Sequence, residues 1–180
     1  TLLFGGHIEY WTQRERDAVM AARSNGTNLI FFGANTAYWR ARLERSPLGP
    51  GRTLVVYKSA TTDPDKKRPT ILFRSTGQPE SELTGGTYRC FPARGDFTVT
   101  NPDHWIFNGT GAKKGSTYDS ILGPEVDGAN TSTPRLKILA SSFTRCGKKT
   151  KTYASFSIMT DPSGARTVNV GTMGWALRGF

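Results

Sequence analysis

Histidine is scarce in this chain, with two in 180 residues, and cysteine is equally so. Two lone cysteines, Cys90 and Cys146, with no CxxC spacing and no clustered histidines, argue against a structural zinc site. No run of about 18 apolar residues occurs, so no helix is expected to span a membrane. The serine-hydrolase elbow G-x-S-x-G is missing. "GTGAKKGST" (109–117) lacks the Gly-Lys-Ser/Thr ending of a phosphate loop, because Gly115 is followed directly by Ser116; it reads as a tight turn. Acidic residues are also short: 14 Asp and Glu stand against 24 Lys and Arg, for a formal charge of +10.

That charge gathers in three polar loops, "DPDKKRP" (63–69), "GAKKG" (111–115) and "RCGKKTK" (145–151). They read either as a polyanion-binding surface or as solvated turns. No arginine-rich helix fit to enter a nucleic-acid groove is present, so specific nucleic-acid binding is not expected; net charge supplies only the nonspecific term. The chain starts at Thr1, inside the apolar run "TLLFGG", with no initiator methionine and no charged leader. It is therefore expected to be the C-terminal portion of a longer polypeptide, a single domain over 1–180 with a βαβ unit at 1–45 and a β-rich remainder at 52–180. Cys90 and Cys146 are either two buried thiols or one disulfide. Both lie in polar, strand-like stretches, and a bridge would need Cα atoms about 4.4–6.8 Å apart. It would also favour an exported protein.

"TLLFGG" reads as a strand, and "TQRERDAVMAARSNG" as a helix over 12–24: Thr12 and Glu15 have capping-box spacing, Gly26 stops it, and Ala18, Val19 and Ala22 are its expected apolar face. "TNLIFFGAN" reads as a second strand, parallel to the first. In such units ligands bind beyond the carboxyl ends of the strands. His7 and Glu9 follow the first strand there and Asn35 the second. If the first strand continued, His7 and Glu9 would share a face at i and i+2, as an acid–base or metal pair or as a surface hydrogen bond. From Arg52 onward short β-branched and aromatic runs alternate with Pro, Gly and Asp turns, among them "PTILFRST", "TYRCFPA", "DFTVTN" and "HWIFNGT". His104 reads as a structural residue at a strand start. Glu125 and Asp127 in "LGPEVDG" (122–128) share i and i+2 spacing, for which a solvated turn is the plain reading. The sequons at Asn25, Asn108 and Asn130 count only in a eukaryotic secretory setting.

"GGHIEYWTQRERDAVMAARSNGTNLIFFGANTAYWR" closely resembles the C-terminal region of the large subunit of the N,N-dimethylformamidase family, with its Gly-His-x-Glu-Tyr-Trp motif and a later Gly-x-Asn-x-x-Tyr-Trp. "DHWIFNGTGAKKG", "LGPEVDG" and "VNVGTMGWAL" follow in the family's order. The likeness is strongest over residues 2 to 42. It implies an α/β fold with a flavodoxin-like or amidotransferase-like layer and additional antiparallel β structure. It further implies hydrolysis of a small amide at a mononuclear iron held by two tyrosines and one glutamate. Glu9 corresponds to that glutamate. His7, Asn35 and Glu125 correspond to pocket residues, with His7 or Glu125 moving protons and Asn35 steadying the oxyanion. The two tyrosines lie upstream of the motif, so the isolated chain is expected to be inactive and to need the upstream polypeptide as its partner. A homo-oligomer is compatible with the same reading. The rival expectation is a non-enzymatic exported binding module that keeps the fold and uses its basic surface.

Overall fold

A computed structural model describes residues 1–148 and 150–178; Lys149, within the basic run 145–151, lies outside the described residues. The chain opens with β1 (Leu2–Gly5), β2 (Tyr10–Thr12), α1 (Gln13–Ser24) and β3 (Leu29–Phe32). α1 starts at Thr12 because its hydroxyl accepts the Glu15 N–H at 3.2 Å while Glu15 Oε2 accepts the Thr12 N–H at 2.7 Å, which satisfies two otherwise orphaned donors. Its buried side differs from the alanine face expected from the sequence. Ala18 is exposed, whereas Arg16 and Arg23 are buried. Arg16 donates to the carbonyls of Gln78 and Pro79, and Arg23 to those of Glu82 and Leu83, so each buried guanidinium is spent on backbone acceptors.

A hairpin of β4 (Trp39–Ser46) and β5 (Gly49–Val55) follows, then the one-turn helix α2 (Glu80–Thr84). The remaining strands are β6 (Gly86–Cys90), β7 (Ala93–Thr98), β8 (Thr117–Leu122), β9 (Val126–Ala129), β10 (Leu136–Cys146), β11 (Thr150–Thr160) and β12 (Arg166–Asn169), before a last short helix, α3 (Gly174–Arg178). β1 and β3 pair in parallel, Leu2 opposite Leu29, and α1 connects them. β3 pairs in parallel with β12 on its other side, and from there the sheet runs antiparallel, in the order β1-β3-β12-β11-β10-β7-β8. Smaller sheets are β2-β4-β5 and β6-β9.

The α/β fold with a flavodoxin-like or amidotransferase-like layer is therefore not what forms. Strands hold 43% of the chain and helices 16%, so the protein is mostly β, with curled sheets. The physical reason lies in how the sheet grows. Each further parallel strand of a doubly wound layer needs a covering crossover helix, whereas antiparallel strands need only a turn. Here the 11-residue strands β10 and β11 extend the sheet as a hairpin, and α1 is its single long helix among the described residues.

Two apolar clusters fill the interior. Leu139, Phe97, Val99, Phe156 and Ile158 centre the larger one, on the antiparallel side. Leu29, Phe31, Trp11, Phe73 and Leu83 centre the smaller, between β3 and its neighbours. A disulfide joins Cys90, ending β6, to Cys146, ending β10, with Cα atoms 5.7 Å apart across a separation of 56 residues. In the chain-entropy view a loop of that size contributes about 4 kcal/mol. Two expected strands are 3-10 helices instead, at Phe73–Thr76 and Trp105–Phe107; His104 caps the second, its Nδ1 accepting the Ile106 N–H at 3.4 Å. No helix of the described residues is long and apolar enough to cross a membrane.

Candidate functional site

β1 ends at Gly5, and the chain turns through Gly6 with φ +79°, a left-handed conformation suited to glycine. Residues 7–9 are irregular, so the strand alternation invoked from the sequence does not operate here. They are held instead by the segment leaving β3: Ala37 N–H donates to the Ile8 carbonyl at 3.0 Å and Tyr38 N–H to the Glu9 carbonyl at 2.9 Å. Gly33 lets the two segments touch, since a Cβ there would run into the Gly6 carbonyl oxygen.

This backbone frame brings His7 and Glu9 together by a different route. His7 Nε2 stands 3.4 Å from Glu9 Oε2 and 3.1 Å from Glu125 Oε2. Glu125 directly precedes β9, and its other oxygen accepts from Asn35 Nδ2 at 3.3 Å. All four residues singled out from the sequence thus lie in one contiguous polar group, joined by the Asn35–Glu125 hydrogen bond and the two close His7–carboxylate contacts. The two carboxylates are mostly enclosed, and the imidazole side chain is 43% exposed, so it is the member of the group that meets solvent. Burial pushes the Glu125 carboxyl above its ordinary range, and Glu9's charge adds to this; the nearby His7 and the Asn35 hydrogen bond pull the other way. His7, Glu9, Phe4, Ile8, Trp11 and Val19 are among the residues that line a cleft of about 500 Å³.

Asp127, two residues beyond Glu125, reads from its neighbours as part of a solvated turn, but it is buried. Its Oδ1 accepts the Asn35 backbone N–H at 2.9 Å and its Oδ2 the Asn169 side-chain amide at 3.4 Å. Asn35 has φ 59°, a left-handed conformation that asparagine tolerates better than most residues. Glu125 and Asp127 therefore grip one residue, the first by its side chain and the second by its backbone. Burial pushes the Asp127 carboxyl up to about 7. Alternation at i and i+2 was the available signal for this pair, and the flanking Gly and Pro masked it. Tyr88, opposite Asp127 on β6, had no signal at all; it packs on Tyr38 with ring centroids 5.0 Å apart. Burial raises both phenols, Tyr88 further under the Glu125 charge, so each stays a neutral O–H donor.

The donor set is short of what the expected iron needs. Among the described residues no group of three or more His, Cys, Asp or Glu side chains is arranged to hold a metal ion. Tyr10, adjacent to Glu9, has its hydroxyl taken by Lys58 Nζ at 2.7 Å. Among the described residues, then, the donors do not suffice for such an ion. A family model described as N,N-dimethylformamidase beta subunit-like, C-terminal, matches residues 1–178. No curated protein matches the chain.

Proposed function

This chain belongs to the N,N-dimethylformamidase beta subunit-like, C-terminal family, and from that premise we propose that it forms the proton-transfer half of an amide-hydrolysing site in a larger protein. The observation that carries the reading is a half-exposed imidazole whose Nε2 lies within 3.4 Å of two largely enclosed carboxylates, one of which burial biases toward its protonated form. A carboxyl that burial biases toward its protonated form, beside an imidazole open to solvent, suits a reaction that removes one proton and delivers another.

In the proposed reaction water attacks the carbonyl carbon of a small linear amide. His7, oriented by Glu9, takes the proton from that water. Asn35 Nδ2, which has a second hydrogen beyond the one given to Glu125, donates to the oxygen on which charge develops. Glu125 delivers a proton to the nitrogen as the C–N bond breaks, and His7 returns the balance to Glu125 across their 3.1 Å contact. The products are a carboxylic acid and an amine. The metal role expected for Glu9 belongs to the same proposal and requires donors from outside these residues.

The test uses the full-length protein. His7→Ala and Glu125→Gln should each lower turnover of a simple linear amide by about 10²–10⁴-fold, as loss of an acid–base group does, with melting temperature nearly unchanged. Glu9→Ala should remove bound metal and activity together, read by elemental analysis beside the assay. Full turnover in the His7 and Glu125 variants would sink the acid–base assignment. Failure of the unmodified protein to hydrolyse any simple amide would favour the non-enzymatic binding module.

A further inference from the structure

A second cleft, of about 340 Å³, lies between the first turn of α1 and the β4 hairpin, away from the His7 group. Four arginines line it, Arg14, Arg40, Arg42 and Arg68, and no carboxylate is among its lining residues. The cations are not equally committed. Arg42 is spent on Asp63, at 3.2 and 3.0 Å, and on Glu44; Arg68 pairs with Asp65. Arg40 gives Nε and Nη2 to the Pro69 carbonyl, at 3.0 and 2.6 Å, leaving Nη1. Among the described residues neither Arg40 nor Arg14 makes a salt bridge.

We propose that this cleft binds the oxyanion group of a small organic ligand, a carboxylate or a phosphate, between Arg14 and Arg40. Elsewhere in this fold the buried or half-buried guanidiniums, Arg16, Arg23, Arg42 and Arg74, each have a carboxylate partner. Arg40 is the exception, and it lies beside a second cation. Burial first, and then the like charges of Arg42 and Arg68, depress its proton affinity, an effect that Asp63 and Asp65 offset in part. An anion in the cleft would supply the missing counter-charge. A guanidinium fork suits it, because its paired N–H groups match the oxygens of a carboxylate or phosphate. Ala41 and Leu43 beside the arginines give the rest of the ligand apolar contact.

The site does not depend on the amide chemistry, and its test needs no catalysis. The chain is titrated by calorimetry at low ionic strength with inorganic phosphate in one arm and citrate in the other. Arg14→Ala should weaken whichever anion binds by about tenfold or more, the effect of losing a charged hydrogen bond, and Arg40→Met should do the same. Lys113→Ala, on a distant loop, should leave binding unchanged. Tighter binding in the phosphate arm would assign a phosphate ligand, and in the citrate arm a carboxylate. Because Arg40 also braces the Pro69 loop, Arg14→Ala decides the matter if Arg40→Met misfolds. No binding in either arm, or equal weakening by Lys113→Ala and Arg14→Ala, would overturn the proposal.

Discussion

Asp63 and Asp127 are both buried, at 0% and 1% exposure, yet their carboxyls move in opposite directions. Asp63 accepts two hydrogen bonds from the Arg42 guanidinium and two more from Thr70, through its backbone N–H and its hydroxyl, each at 2.7 Å. The Arg42 contact is the main reason its carboxyl sits well below the ordinary carboxylate range. Asp127 receives only neutral amides, from Asn35 and Asn169, and burial pushes it up to about 7. Similar loss of solvent contact therefore accompanies a carboxyl held toward its ionised form beside the hairpin and one held toward its protonated form beside the His7 group. Two things separate them, the charge of the donor and the deeper seat of Asp127 in the protein: a cation offsets desolvation of a carboxylate, whereas neutral donors do so only in part.

The largest expected effect comes from removing that cation. Arg42→Met keeps Asp63 buried and leaves it unpaired, so Tm should fall on the order of 10 °C. Thermal unfolding followed by circular dichroism checks this, and a variant melting with the parent protein would break the contrast.

A smaller and pH-dependent effect is expected from Asp127→Asn. A carboxyl raised from 3.8 to about 7 on folding makes the folded state hold a proton that the unfolded state releases. Its contribution to stability is fully present below pH 3.8 and is lost as pH rises through about 7. In that window the parent should lose at most about 1.4 kcal/mol per pH unit from this group. The variant should show a flatter profile by denaturant unfolding between those limits. An unchanged slope would mean that Asp127 is not the group responsible.

The smallest effect is expected from Asn35→Gly, which retains a residue suited to φ 59° and deletes only the side-chain amide. Stability should change by about 1 kcal/mol or less. The Glu125 carboxyl should titrate higher, because the Asn35 hydrogen bond is one of the contacts holding it down. Carboxyl carbon NMR reads the shift directly. A downward shift would show that Asn35 does not favour the ionised form of Glu125.

The parts legible in the sequence were those governed by near neighbours. The Thr12–Glu15 capping box and the uncharged run Leu29–Gly33 marked α1 and β3 correctly, since capping and strand patterning act over a few residues. His7, Glu9 and Asn35 could be assigned to one edge because parallel strands joined by a helix place their carboxyl ends together. The strand geometry offered for His7 and Glu9 did not hold, as residues 7–9 are irregular and braced by the segment at 37–39. The fold class went astray because one βαβ unit carries no information about its next neighbour, and that neighbour is β12, more than 130 residues along the chain.

By itself, then, the sequence determined the first local elements (β1, α1 and β3), the family likeness and the residue types available for acid–base chemistry. It could not decide which polar groups would be enclosed, because "DPDKKRP" reads as an exposed basic loop, polyanion-binding or merely solvated, and "LGPEVDG" as a solvated turn. Tertiary packing decided that. It set Arg42 against Asp63 across 21 residues, and it brought Asn35 to Glu125 across 90 and to Asp127 across 92. Desolvation and the charge of a distant partner fix a carboxyl's proton affinity, and neither quantity exists until the chain has closed around the group.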